Sequence, residues 1–224
     1  MNMAWLSVHL YRANGNNQKW IDKAKKALDD MESTVDFPIY THDEGNVSVE
    51  IGSSADEMMD NWIDYIEEND IYVNEYDVHL LIVNTTRLGA GANRGGAVGP
   101  KGRKVVDNSE GTAAFANSAV RFANGCYGGE ETFPPTIIHE VGHSVIHKDM
   151  DLPEENNEHS VGTVYKDPDE STSPMQLWYT ADDCSGNDPP SDNCYSTTDK
   201  TSQGATNSLT VCCTEKMNDY MNSW

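Results

Sequence analysis

In the first third of the chain, segments with the hydrophobic spacing of strands alternate with segments that have the spacing of helices. Apolar side chains at residues 5–11 and the continuous apolar run at 78–83 are typical of strands, the second one buried on both faces. Between these strands, apolar residues recur at helical spacing over about 17–31 and again beyond Ser54, which forms a capping box with Glu57. The pattern therefore predicts that strands and helices alternate.

Extended segments at 37–40 and 47–51 separate the two predicted helices, so residues 1–84 are predicted to run strand, helix, strand, helix, strand. This order favours an α/β (α+β) fold, a twisted mixed sheet with helices packed on it and right-handed crossovers. The Gly-rich segment 88–102 lacks the GxGxxG spacing of a nucleotide-binding loop, so a flexible loop and an edge strand are predicted there. A further short strand is predicted at 112–115.

The composition changes in the last third of the chain. Residues 149–211 are rich in Asp, Ser, Asn, Thr, Gly and Pro, which predicts long irregular loops, and a last helix is predicted at about 213–222. We expect one domain over residues 1–224. It would have an N-terminal lobe of about 1–148, a loop-rich C-terminal lobe of about 149–224, and a cleft between them.

The charge balance is strongly acidic, with 15 Lys and Arg residues against 37 Asp and Glu residues and a formal net charge of −22. Such a chain repels nucleic acid and anionic membranes, so neither is expected as a partner. It also has no apolar run long enough to span a membrane. Because the acidic residues are spread from Asp22 to Asp219, adaptation to high salt is favoured over a disordered acidic protein or an acidic substrate-binding face.

Five cysteines are present, and none of them forms the CxxC spacing of a zinc site. Two of them flank a loop rich in Gly, Asp and Pro, where a disulfide would stabilise a segment with little core. One or two disulfides are therefore predicted, and with them export from the cell. The odd count leaves at least one thiol free or paired between molecules, and the alternative is five buried thiols. The cysteines are Cys126, Cys184, Cys194, Cys212 and Cys213, of which Cys184 and Cys194 flank the loop.

The strongest chemical signal is an HExxH motif at residues 139–143. A pair of prolines introduces a helix predicted at about 136–147, on which His139 and His143 would lie one turn apart on one face, positioned to bind the same Zn²⁺. Glu140 is next to the first ligand and would reach a zinc-bound water rather than the metal. It is therefore the candidate catalytic base.

A catalytic zinc takes three protein ligands and a water, so a third ligand is expected beyond the helix. His147 lies two turns from the first histidine of the motif, roughly 12 Å along a straight helix, which is too far to share the ion. His159 lies on a loop long enough to fold back, and imidazole is a common zinc ligand, so His159 is preferred. Asp149 is the main alternative, followed by Glu155 or Glu158.

The HExxH motif, the alternating strands and helices before it, and the segment Ser-Pro-Met that ends at Met175 resemble the metzincin clan of zinc peptidases. The resemblance implies a methionine turn at Met175 beneath the zinc. It also implies a third ligand at Asp149, but the glycine of the metzincin turn falls at Ile146, a β-branched residue poorly suited to it. Tyr179 is the candidate for the tyrosine that, in some metzincins, binds zinc or steadies the oxyanion, although it lies four residues after the methionine instead of two.

Two further segments, Glu-His-Ser-Val-Gly at 158–162 and Thr-Val-Cys-Cys-Thr at 210–214, add a closer resemblance to secreted metalloproteases of halophilic archaea. This resemblance agrees with the acidic composition. It also favours His159 as the third ligand.

The expected function is a secreted zinc-dependent endopeptidase that hydrolyses protein or peptide substrates in a high-salt environment. Glu140 would activate the zinc-bound water, and an edge strand within 95–115 would align an extended peptide by strand addition. A different class stays open, namely a non-catalytic binding or surface-assembly domain that keeps the peptidase fold. An exopeptidase or a hydrolase of another amide is a third alternative, and nothing in the sequence indicates the oligomeric state.

Overall fold

The computed structural model describes residues 4–71, 74–89, 91–94, 98, 111–119, 129–146, 150, 171–172, 174–175, 204–205 and 207–223. Strands and helices alternate along the first part of these residues, as predicted. In chain order the elements are β1 (Leu6–Ala13), α1 (Gln18–Glu32), β2 (Ile39–Val47), α2 (Ala55–Glu68), β3 (Asp77–Val83), β4 (Gly91–Arg94), β5 (Thr112–Asn117), α3 (Gly129–Gly142), β6 (Ser171–Thr172), β7 (Gly204–Ala205) and α4 (Val211–Met221).

Five strands form one sheet in the order β2-β1-β3-β5-β4. The pairs β1–β2, β1–β3 and β3–β5 are parallel, and β4 runs antiparallel to β5 at the edge of the sheet. The fold is therefore mixed α/β with a mostly parallel sheet, as the sequence predicted. Strands β6 and β7 form a separate two-stranded sheet, and none of the described helices is long and apolar enough to cross a membrane.

The second strand differs from its prediction. β2 is one continuous strand instead of two extended segments. It lies at the other edge of the sheet, and its middle residues are polar and largely exposed, so only its ends, Ile39 and Val47, are buried. An irregularity in its register with β1 leaves Gly45 at a φ of +87°, a conformation that glycine adopts without strain.

The pleat of the sheet sends alternate residues to opposite faces. On one face, Leu6, Val8 and Leu10 of β1 belong to a larger core that also contains the buried sides of α1, α3 and α4. On the other face, Tyr11 and Ala13 belong to a smaller core formed with α2. β3 contributes to both cores and is buried along its length, which confirms the prediction for residues 78–83.

The capping box of α2 is confirmed at one of its two hydrogen bonds. The Ser54 hydroxyl accepts a bond from the N–H of Glu57 at 3.2 Å, as predicted. The Glu57 carboxylate, however, accepts from the N–H of Ser53 at 2.7 Å instead of that of Ser54. The first bond satisfies an N–H group of the first helical turn, and the second fixes the backbone just before the helix.

The helix that carries the HExxH motif lies further toward the N-terminus than predicted. α3 spans Gly129–Gly142 instead of 136–147, and it contains Pro134 and Pro135 instead of following them. Each proline lacks the N–H that a helix interior uses, which is why the helix was predicted to begin after them. Beyond Gly142 the helical hydrogen bonds shorten from four residues to three, because the N–H of Ser144 bonds to the carbonyl of Val141 at 2.9 Å. The α-helix therefore ends there.

α4 begins two residues before its predicted start at 213. The Thr210 hydroxyl caps the helix by accepting a bond from the N–H of Cys213 at 2.9 Å. Met217 and Tyr220 pack into the larger core, and the Tyr220 hydroxyl donates to the carbonyl of Val98 at 2.6 Å. This helix of the predicted C-terminal lobe therefore shares a core with the N-terminal strands.

The two described cysteines differ in state. Cys212 is disulfide-bonded, and its partner lies outside the described residues. Cys213 is a buried free thiol, and burial raises its pKa. Cys126, Cys184 and Cys194 also lie outside the described residues. The chain thus carries at least one disulfide and at least one free thiol.

We expect Leu80→Ala to lower the free energy of unfolding by about 2–5 kcal/mol, because it leaves a cavity in the middle of the sheet. Leu80 is fully buried in β3, the central strand. Urea denaturation followed by circular dichroism measures the change. The control is Val211→Ala at a residue that is 66% exposed, which should change the free energy by less than about 0.5 kcal/mol. Equal losses in the two variants would contradict the burial of β3.

Candidate functional site

α3 brings the two histidines of the HExxH motif together. The Nε2 atoms of His139 and His143 lie 3.1 Å apart, and their rings are nearly perpendicular at 88°. Two imidazoles on one tetrahedral zinc would have their nitrogens about 3.3 Å apart, from a Zn–N bond of about 2.0–2.1 Å. The N–H of His143 bonds to the His139 carbonyl at 3.2 Å, so helical spacing holds up to this residue. The pair therefore has the separation that a shared zinc ion requires.

A backbone carbonyl orients the first of these histidines. His139 is buried, and its Nδ1 lies 2.7 Å from the carbonyl oxygen of Pro174. A carbonyl only accepts hydrogen bonds, so Nδ1 carries the proton and donates it. In the neutral ring, Nε2 then presents its lone pair toward His143, and this is how metal-binding histidines are oriented in other proteins.

Glu140, the candidate base, is held in a confined space between α3 and β4. Its side chain is buried, and Gly91 of β4 passes directly beside it. A Cβ atom at Gly91 would lie 2.5 Å from Oε1 of Glu140 and 2.5 Å from the Phe115 carbonyl oxygen, so only glycine fits there. Burial raises the pKa of Glu140 to about 7, against a smaller opposing effect of His143.

β4 is tied to the motif helix by side chains that the sequence did not reveal. The Asn93 amide donates to the Glu140 carbonyl at 2.9 Å and to the Ser144 hydroxyl at 3.0 Å. The Ser144 hydroxyl also lies 2.9 Å from that of Thr112 in β5. These bonds join residues that are distant in the chain, so no local sequence pattern predicts them. In the sequence, this segment is distinguished only by its two closely spaced glycines, Gly89 and Gly91.

Met175 packs against the last turn of α3. It is fully buried, and a Cβ atom at Gly142 would lie 2.7 Å from its Sδ atom. The absence of a side chain at Gly142 thus admits Met175 directly beside the histidine pair. Together with the adjacent Pro174 carbonyl, Met175 lies where a methionine turn would support a metal site.

The other predicted site residues lie outside the described part of the chain. They are Asp149, Glu155, Glu158, His159 and Tyr179; His147, which was not expected to bind the zinc, also lies outside the described residues. Of the predicted residues, the structure therefore places His139, Glu140, His143 and Met175 together. The third ligand stays a prediction.

A second group of possible ligands lies on the opposite face of the sheet, and the sequence analysis missed it. One side-chain atom each from His9, Asp77 and His79 lies within 4.8 Å of the others, so the group could hold a metal ion. The parallel pairing of β1 with β3 sets His9 directly beside His79. Their separation in sequence gave no local spacing that could have marked the group.

The three residues of this group perturb each other's protonation. Burial and, to a smaller extent, the nearby His9 lower the pKa of His79 to about 3, against an opposing effect of Asp77. Burial also acts to lower the pKa of His9, but the nearby carboxylates of Asp77 and Glu44 outweigh this effect, so the pKa of His9 is raised. The pKa of Asp77 falls despite its burial because it contacts His9 and the N–H of Asn74. The group is therefore electrostatically coupled.

In metal-free protein we expect Glu140→Gln to stabilise the fold progressively as the pH rises from 4.5 to 7. The folded pKa of about 7 exceeds the ordinary 4.5, so over this range the carboxyl ionises in the unfolded chain but stays largely protonated in the folded one, and the wild-type protein loses stability. The difference from the variant should grow by about 3 kcal/mol. Urea denaturation in EDTA at several pH values measures it. Glu68→Gln, a control at an exposed residue, should show the same dependence of unfolding free energy on pH as the wild type. If Glu140→Gln also showed the wild-type dependence, the burial of a titrating carboxyl at residue 140 would be contradicted.

No protein-family model matches the sequence, and no curated protein matches it either. The function is therefore inferred from the chain's own residues.

Proposed function

We propose that the protein is a zinc-dependent endopeptidase in which His139 and His143 bind the metal and Glu140 is the catalytic base. The observation that carries the proposal is the convergence of the two Nε2 atoms, 3.1 Å apart, next to a buried carboxylate. Both histidines and the glutamate belong to one helical turn that is packed into the larger core. This arrangement fits zinc by its donor types and by their separation.

Zinc, when bound here, supplies a Lewis acid that polarises the substrate carbonyl and lowers the pKa of a water molecule. The chain's own residues supply orientation. The Pro174 carbonyl fixes the His139 ring through its Nδ1 proton. The larger core fixes the helix axis, because Ile138 and Val141 on either side of the motif's first two residues are fully buried.

Glu140 would accept a proton from the attacking water and pass it to the leaving amine of the cleaved peptide bond. Burial raises the pKa of the Glu140 carboxyl above its ordinary value, which favours a group that accepts a proton. Burial of a carboxylate also destabilises the fold, and a binding or surface-assembly domain gains nothing from it. The burial of Glu140 thus favours an enzyme over the non-catalytic alternative.

We infer that an extended substrate peptide pairs with β4. This strand is the edge of the described sheet beside α3, and it touches the Glu140 side chain at Gly91. Of the segment 95–115 in which the edge strand was expected, residues 112–115 belong to β5, which lies between β3 and β4, and most of the rest lies outside the described residues. Strand addition at β4 would bring the peptide backbone next to the candidate base.

The remaining parts of the proposed site rest on the resemblance to metzincins. We propose His159 as the third zinc ligand, with Asp149 as the alternative, Met175 as the methionine beneath the metal and Tyr179 as a residue that steadies the oxyanion. The buried position of Met175 against Gly142 supports its part of this assignment. The mixed sheet with the motif helix on one face is compatible with a metzincin fold.

The proposed place of action is outside the cell, at high salt. The disulfide at Cys212 supports export, because disulfides persist in oxidising compartments. The formal net charge of −22 supports adaptation to salt, which screens repulsion between surface carboxylates.

We expect Glu140→Gln to lower kcat/KM for casein cleavage in molar NaCl by about 10²–10⁴-fold, because the general base is lost. Bound zinc, measured by atomic emission, should be unchanged, since Glu140 is not a ligand in the proposal. Glu68→Gln is the matched control, a change of the same kind at an exposed residue at the end of α2. It should retain full activity.

Ligand variants extend the same measurement. His159→Asn is expected to lose both zinc and activity, whereas Asp149→Asn is expected to retain zinc. The reverse result would assign the third ligand to Asp149. Full activity in Glu140→Gln would overturn the peptidase proposal.

We also expect the free energy of unfolding to rise as NaCl increases from millimolar to molar concentration. The reason is charge screening, since the Debye length falls from about 10 Å at 0.1 M to about 3 Å at 1 M. Urea denaturation at each salt concentration measures the change, with sucrose of equal osmolality as the uncharged control. Maximal stability at the lowest salt would contradict the proposed adaptation.

A further inference from the structure

Three histidines form a row across the sheet on the face away from α3. His42, His9 and His79 occupy matched positions on β2, β1 and β3. The ring of His9 stacks on both neighbours, with centroids 4.7 Å from His42 and 4.8 Å from His79. Asp77 lies two residues before His79 and therefore on the same face of β3. The row thus combines imidazole rings with one carboxylate.

The carboxylate faces the same nitrogen on two of these rings. One Asp77 oxygen lies 3.7 Å from Nε2 of His9, and the other lies 4.0 Å from Nε2 of His79. The Ser7 hydroxyl is a further oxygen, 3.2 Å from Nε2 of His9. Both Nε2 atoms and several oxygens therefore surround one small region of the sheet surface.

The opposite nitrogen of each ring has an outer partner. Nδ1 of His9 lies 2.7 Å from Oε1 of Glu44, and Nδ1 of His79 lies 3.0 Å from the Tyr11 hydroxyl. Because a carboxylate only accepts hydrogen bonds, Nδ1 of His9 donates to Glu44. Metal-binding histidines in proteins have this arrangement, in which one nitrogen donates to an outer carboxylate or oxygen and the other meets the metal.

His79 provides the independent sign of a missing ligand. Its side chain is only 1% exposed, yet within the described residues its Nε2 atom has no hydrogen-bond partner. A buried polar atom without a partner costs free energy, and such atoms are uncommon in folded proteins. This nitrogen points toward the Asp77 carboxylate but stays 4.0 Å from it, so the contact does not satisfy it.

We propose that His9, Asp77 and His79 form a second metal site that binds a divalent transition metal through both Nε2 atoms and the carboxylate. Two nitrogens and one oxygen suit zinc and its neighbours in the first transition row, whereas Ca²⁺ and Mg²⁺ prefer all-oxygen sites. The ligand atoms lie within 4.8 Å of one another, whereas two nitrogens on a shared tetrahedral ion lie about 3.3 Å apart. Because the rings of His9 and His79 are stacked nearly parallel, binding of the ion requires the two imidazoles to turn toward each other.

This site has a structural role, because its ligands come from the two adjacent strands β1 and β3. A metal there cross-links the centre of the sheet and stabilises the folded chain by an amount that grows with the logarithm of the free metal concentration relative to Kd. The site lies on the face opposite the HExxH helix, so its occupancy is independent of the proposed peptidase activity.

The test uses the full chain with His143→Gln as background, which removes the proposed catalytic metal and leaves the second site. After dialysis against buffered Zn²⁺, we expect one zinc per chain in this background and an increase in Tm with added zinc. Adding Asp77→Asn or His9→Gln should abolish both the bound zinc and the Tm increase. With Co²⁺ in place of Zn²⁺, the background should show visible absorption bands that Asp77→Asn lacks.

The matched control is His42→Gln in the same background, which changes the third histidine of the row but none of the proposed ligands. It should retain the zinc and the Tm increase, and Ca²⁺ should raise Tm in none of the variants. Zinc-free background protein, or full zinc binding by Asp77→Asn, would overturn the proposal. Asp77 and His9 are partly exposed, so substitutions there are expected to leave the protein folded. Their variants therefore test the proposed metal site even if a substitution at the buried His79 prevents folding. The difference in bound zinc between the wild type and the His143→Gln background reports separately on the HExxH site.

Discussion

The parallel register between β1 and β3 is the constraint on which both faces of the sheet depend. It sets Val8 beside Val78 and Leu10 beside Leu80 in the larger core, and it sets His9 beside His79 on the other face. A slip by one residue would turn every one of these side chains to the opposite face. The hydrophobic side chains that favour this register therefore also assemble the histidine row, although the histidines contribute little to the apolar burial.

The larger core supports a buried carboxylate that the fold would otherwise disfavour. α3 is anchored by Ile137, Ile138 and Val141, all fully buried, and these contacts hold Glu140 away from water. Glycines complete the arrangement by leaving space. Gly91 lets β4 pass beside the carboxylate, and Gly142 lets Met175 reach the base of the helix. Hydrophobic packing thus raises the pKa of the candidate base by excluding water from it.

The two metal-binding candidates differ in how they are built. His139 and His143 lie one helical turn apart, so local backbone geometry places both side chains on one face, and the distant Pro174 carbonyl orients the His139 ring. His9, Asp77 and His79 come from two strands joined by hydrogen bonds, so their proximity exists only in the folded sheet. The first group is therefore marked by its spacing in the sequence, whereas the second depends on the pairing of β1 with β3.

The sequence determined the features that depend on local spacing. Period-two and period-3.6 patterns gave β1, α1, α2 and β3, and the spacing of the motif gave His139, Glu140 and His143. Edge strand β2 was misjudged because its exposed polar residues carry no apolar pattern, and the start of α3 was misjudged because helix interiors rarely contain proline. Only the tertiary structure decided that Gly91 lies against Glu140, that Pro174 orients His139, and that β1 and β3 align their histidines. These contacts join residues far apart in the chain, and their geometry is set by packing and strand register, which leave no local trace in the sequence.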